Sequence, residues 1–295
     1  MSLLLAALTL NIATEEQEPT PQQDVIRTVD CRCYESGGWR ILQTDNFRIC
    51  TRSRQLDLDE LPARCELLRS RITRIWLDDA NRDAWTPRCD VIVHASLAEY
   101  QRTLGTGVGR SVGCATMKVD GGRIVSRRID IRVDADAWDV DALPHELTHV
   151  VLADHFNGRR LPPWADEGIG VLSESRRKQQ IRADAFEASA RRGCVYQPSD
   201  LLKLRQFPQA GYREAFYAQS AALVRELVDR GSHREFIRCV EDTLENGETA
   251  ALASVYDIHL PAELNGITNV RSVTKALSHE PTAQGERTLI VAMDE

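Results

Sequence analysis

The stretch Asp141-Ala-Leu-Pro-His145-Glu146-Leu-Thr-His149 sets two histidines four residues apart with a glutamate between them. On a helix, positions i and i+4 stand about 40° apart around the axis, so both imidazoles project from one face. Two neutral imidazoles at that spacing can grip one Zn²⁺, which takes nitrogen ligands at roughly 2.0–2.1 Å. Glu146 then stands beside the ion and not on it, placed to take a proton from a metal-activated water. The local sequence agrees with a helix. Asp141 is a candidate N-cap, Pro144 is tolerated in the first turn, and Leu143, Leu147, Val150 and Val151 can bury the other faces.

A catalytic zinc takes a third protein ligand and keeps a fourth position open. Two residues compete for that place. His155 completes the spacing HExxHxxxxxH, but Leu152 stands where a glycine would end the helix and turn the chain back. A continuing helix carries His155 about 240° round from His149. The second candidate is Glu167, in Leu161-Pro-Pro-Trp164-Ala-Asp166-Glu167-Gly168-Ile-Gly170, across a loop marked by Asn157-Gly158 and Pro162-Pro163. A helix starting at Pro163 or Trp164 would cross the first and present Glu167 to the metal, with Gly168 and Gly170 permitting close approach.

The segments HELTHVVL and LPPWADEGIGVL together resemble the gluzincin superfamily, and within it the bacterial peptidase-MA-like domains with an HExxH…W-x-x-E-G signature. The likeness is strongest over Asp141–Ser175 and extends weakly over Trp39–Tyr256. It implies zinc ligands His145, His149 and Glu167, Glu146 as general base, a zincin-like two-lobed fold and a peptide or protein substrate. Further along, Tyr217, Ser220, Ala221, Val224 and Leu227 share one helix face. Aminopeptidase-N-like gluzincins carry a tyrosine at a comparable place, so the resemblance implies that the Tyr217 phenol donates to the oxyanion. A plain core tyrosine satisfies the same periodicity. The GAMEN-like strand that binds a free amine in aminopeptidases is not visible. The matching region, Gly121–Val133, is expected as an edge strand able to pair with an extended substrate. From another class, the alternative is a catalytically inactive zincin-fold binding or scaffold protein.

The elements that must position these residues follow from hydrophobic spacing. Trp39–Thr51 reads as paired strands, Leu56–Trp76 as a helix, Asp90–His94 as a strand, Leu97–Leu104 as a helix and Arg123–Val133 as a strand. Helices are expected over Ala142–His155, Trp164–Arg191, Tyr212–Arg230, Arg234–Glu245 and Ala250–Tyr256. Strands first and helices second predict an α+β class. The expected division is an export segment and linker over 1–29, a strand-rich lobe over 30–140, a helical catalytic lobe over 141–265 and a tail over 266–295.

Composition bounds the remaining classes. With 42% hydrophobic and 27% charged residues in 295, the chain is not disordered along most of its length. No apolar run reaches the 18 or so residues of a transmembrane helix. A net charge of −7 disfavours nucleic acid as partner. The eight cysteines contain no CxxC pair, which removes a zinc ribbon and reads as disulfides in an oxidising compartment. The apolar stretch Leu3–Leu10, followed by a polar run, resembles a signal-peptide core, so export to the periplasm, cell envelope or exterior is expected. Leu104–Ser111 lacks the first glycine and the lysine of a P-loop, and the acidic run Asp130–Asp141 lacks the glycine and final glutamate of an EF-hand.

Overall fold

Short strands, two pairs of them joined by Gly-Gly turns at 37–38 and 121–122, build the sheet. In the computed structural model, residues 29–78, 83–259, 261–266 and 269–278 are described; they lie within one unit, Thr28–Glu280. Most of the expected export segment, and the tail after Ser278, fall outside the described residues. Strands β1 (Arg32–Ser36), β2 (Trp39–Gln43) and β3 (Phe47–Thr51) form an antiparallel meander. Its first turn is Gly37-Gly38, both at positive φ, as a two-residue hairpin turn of this hand requires. Helix α1 (Leu61–Leu77) crosses to β4 (Cys89–His94), which runs parallel to β3. After α2 (Leu97–Leu104), the hairpin of β5 (Gly113–Asp120) and β6 (Arg123–Arg132) completes a mixed sheet in the order β1-β2-β3-β4-β6-β5.

One face of the sheet is apolar: Phe47, Ile49, Val91, Val93, Ile129 and Ile131 are wholly buried. The helices α1 and α3 (Ala142–His155) pack on that face. Beyond α3 come α4 (Pro163–Leu172), α5 (Arg176–Arg191), α6 (Pro198–Lys203), α7 (Arg213–Arg230), α8 (His233–Asn246), α9 (Glu248–Tyr256) and α10 (Val270–Ser278). The class is α+β. One buried cluster runs from Ile49 and Val91 through Leu147 and Trp164 to Phe216, Val240 and Leu252, so the strand-rich and helix-rich segments share a core. A second cluster forms where Val273 and Leu277 of α10 meet Ala183 and Phe186 of α5 and Ala218 and Ala222 of α7.

Several expectations change. The single helix expected over Trp164–Arg191 is two, broken at Ser173–Ser175, where Ser175 caps α5 by accepting from the Lys178 N–H. Strand β5 was not expected, and it displaces the Gly121–Val133 region from the edge: β6 lies between β4 and β5. Part of the expected tail is helical, as α10. All eight cysteines are thiols in place of the expected disulfides, with Cys65, Cys89 and Cys239 wholly buried. Among the described residues, no helix is long and apolar enough to cross a membrane.

Candidate metal centre

Helix α3 is fixed by its apolar faces, since Leu143, Leu147, Val150 and Leu152 are each 0% exposed. Asp141 stands at the N-cap position but does not cap its own helix; its Oδ1 accepts from the Ser175 N–H at 3.3 Å, tying the start of α5 to the start of α3. The chain then reverses at Asn157 and Gly158, both at positive φ, and α4 begins with Pro163 in its first turn. Two glycines set the depth of α4. A Cβ on Gly170 would stand 2.9 Å from the His145 ring, and one on Gly168 would stand 2.7 Å from the Ser220 carbonyl oxygen of α7. Close approach on both sides carries Glu167 to the histidines.

The geometry converges. Glu167 Oε2 lies 3.2 Å from His145 Nε2 and 3.9 Å from His149 Nε2. One ligand atom from each of the three residues lies within 4.8 Å of the others, the sole such group of His, Cys, Asp and Glu side chains among the described residues. Tetrahedral zinc with bonds near 2.0–2.1 Å puts its donors about 3.3 Å apart, so these separations suit it. The opposite ring nitrogens support the same reading. His149 Nδ1 is hydrogen-bonded to Asp166 Oδ1 at 2.8 Å, and His145 Nδ1 lies 3.0 Å from Glu174 Oε1. The hydrogen bond at His149 Nδ1 holds the proton there and leaves the Nε2 lone pair for a metal, while at His145 the Glu174 carboxylate stands beside Nδ1 as an ion pair without a formed hydrogen bond.

The charges are balanced by this clustering. Burial opposes protonation of both histidines, but Glu167 and Glu174 lift His145 to about 9, and Asp166 and Glu167 lift His149 to about 10. Burial also works against ionisation of Glu167 and Glu174. His149 and His145 nevertheless lower the Glu167 carboxyl, and Arg182 with His145 holds Glu174 down to about 2. Glu146 shifts the other way, upward, because burial outweighs the nearby histidines and the Ala115 N–H that it accepts.

Strand β5 lies directly against Glu146. A Cβ on Gly113 would stand 2.6 Å from Glu146 Cγ, so the strand reaches this position only as glycine. Arg132 N–H donates to Val112, and antiparallel pairs alternate, so Gly113, Ala115 and Met117 turn their backbone groups to the free edge. Tyr217 projects to the same centre. Its ring centroid is 6.4 Å from that of His145, and burial, with Glu167 next, keeps the phenol protonated. Its four companions on the helix face, from Ser220 to Leu227, are buried.

His155 does not join the centre; it pairs with Glu241 of α8 at 3.1 Å. The acidic run disperses as well, Asp130 to His94 and Arg128, Asp134 to Arg132, and Asp139 to Arg64. Two residues that the structure adds to the cluster, Glu174 and Arg182, were not predicted from the sequence. Arg182 grips Glu174 through both its oxygens, with Nε to Oε2 at 2.5 Å. The Ser173-Glu174-Ser175 break is readable as a cap, but nothing in the spacing places Glu174 behind His145. No protein-family model matches the chain, and no curated protein is significantly similar to it.

Proposed function

We propose that the chain is a zinc-dependent peptidase of gluzincin type, with a zincin-like fold in which His145, His149 and Glu167 hold the metal. One observation carries the reading: two imidazole Nε2 atoms and a glutamate oxygen converge while a second carboxylate stands at each Nδ1. When bound, zinc supplies Lewis acidity at the scissile carbonyl and lowers the pKa of water towards about 7. The chain's own residues do the rest. Glu146, pressed between β5 and α3, accepts the proton of the attacking water and returns it to the leaving amine. Its raised pKa suits a group that must both take and give a proton.

The Tyr217 hydroxyl donates to the oxyanion of the tetrahedral intermediate, where a preorganised donor acts most strongly. The edge of β5 turned away from β6 offers the backbone groups of Gly113 and Met117 to an extended peptide, which favours a peptide or protein substrate. Export belongs to the same proposal on the strength of Leu3–Leu10 alone, since the cysteines lend it no disulfide. The test is a peptide-library digest with wild type and Glu146→Gln. Wild type is expected to cleave, and the variant to retain zinc without cleaving; cleavage by the variant at the wild-type rate would refute the mechanism.

A further inference from the structure

We propose that Arg182, on a helix outside the zinc-binding segment, is a positioning residue that sets both the His145 ligand and the Tyr217 ring; this rests on the zinc reading above. Its side chain is 13% exposed and that of Glu174 3%, so the pair is withdrawn from solvent. The guanidinium fork takes both Glu174 oxygens, and Glu174 Oε1 in turn lies 3.0 Å from His145 Nδ1. The same guanidinium lies over the Tyr217 ring with its Cζ 4.6 Å from the centroid. One planar cation thus fixes a carboxylate through its edge and an aromatic ring through its face. Only a guanidinium does both, because an ammonium has neither the fork nor the flat surface.

The placement explains why a buried arginine sits beside a metal centre that would repel it. Glu167, Glu174, Asp166 and Glu146 crowd around the two imidazoles, and Arg182 offsets the charge of Glu174, which is not itself a ligand. Without the fork, Glu174 is free to rotate, and His145 loses the carboxylate that stands 3.0 Å from its Nδ1. Contacts of this kind on a ligating histidine are worth about 10–100-fold in metal affinity.

The experiment measures zinc affinity by competition with a chromophoric chelator for full-length wild type, Glu174→Gln, Arg182→Met, Arg182→Lys and the Glu174→Gln/Arg182→Met pair. Each single change is expected to weaken zinc binding about 10–100-fold. The pair should be no weaker than its poorer single variant, because both act through one link. The visible spectrum of the Co²⁺-loaded Arg182→Lys protein should shift, and its kcat at saturating zinc should fall with KM unchanged. Circular dichroism of the metal-stripped variants is the control for folding; if Arg182→Met fails it, Arg182→Lys and Glu174→Gln carry the test. Wild-type affinity and an unchanged Co²⁺ spectrum in those two, or additive losses in the pair, would overturn the role of Arg182 while leaving the zinc reading intact. A wild-type protein that binds no zinc would overturn both.

Discussion

The hydroxyl of Tyr217 is a small group on which two accounts of one residue diverge. A phenol that only packs contributes a hydrogen bond of about 0.5–1.5 kcal/mol at most, so Tyr217→Phe would leave turnover near wild type. A phenol that donates to the developing oxyanion makes the same change cost about 10²–10³ in kcat, with zinc and fold retained. The second outcome is expected, and a kcat within about threefold of wild type would reduce Tyr217 to packing. The two histidines give a proton count. In protein stripped of metal by a chelator, carboxylates hold His145 at about 9 and His149 at about 10 against the cost of burial, so both carry protons at pH 7. A raised folded-state pKa stabilises stripped protein below the ordinary value of 6.5, and that contribution is lost as pH rises through 9 to 10. Zinc requires neutral rings, so its binding at pH 7 should release these protons and its affinity should rise with pH. Calorimetry in two buffers of different ionisation enthalpy counts them, and a count near zero would contradict the pairing. His145, Glu146, His149 and Glu167 were all legible in the sequence, because helical spacing and a loop-helix return bring them together. Glu174 and Arg182 were not, because they meet His145 and Tyr217 through tertiary packing that no spacing rule encodes.

Glycines let the elements approach the site, and substituting them separates chemistry from stability. Gly113→Ala would put a Cβ 2.6 Å from Glu146 Cγ, on the side chain of the base and away from the ligands. Zinc content should therefore stay at the wild-type level while kcat falls on the order of 10²-fold, as misplaced catalytic groups do. Gly168→Ala instead meets the backbone of Ser220 at 2.7 Å, where neither helix can yield cheaply. It should destabilise the protein by about 1–3 kcal/mol, read as a lower denaturation midpoint. A Gly113→Ala enzyme with full activity, or a Gly168→Ala protein of wild-type stability, would contradict this packing. Helices α3 and α7 and strands β4 and β6 were legible, since each is an apolar-rich stretch buried over most of its length or, for β6, over its second half. Strands β1 and β5 were not. Every residue of β1 is exposed and no residue of β5 is fully buried, which leaves an edge strand without the alternation that marks a half-buried one. The break between α4 and α5 hides inside a helix-like run because only the Ser175 cap marks it.

At the scale of the whole molecule, a single apolar cluster ties the sheet to the helices, and the thiols report on it. Cys31 and Cys33 are exposed, while burial pushes the Cys65, Cys89 and Cys239 thiols well up. A thiol reagent should therefore modify Cys31 and Cys33 quickly in native protein and reach all eight thiols only after denaturation. Fewer than eight in the denatured protein would show a crosslink. The α+β class was legible from the order of strands and helices; the shared core was not, because it depends on which faces meet. The metal content of the chain tests the central claim most directly. Elemental analysis of wild type, Glu167→Ala and His155→Ala, each loaded with zinc and desalted, is expected to give one zinc per chain in wild type and in His155→Ala and substantial loss in Glu167→Ala. Wild-type protein without stoichiometric zinc, or loss confined to His155→Ala, would contradict the assignment of His145, His149 and Glu167 as the metal site.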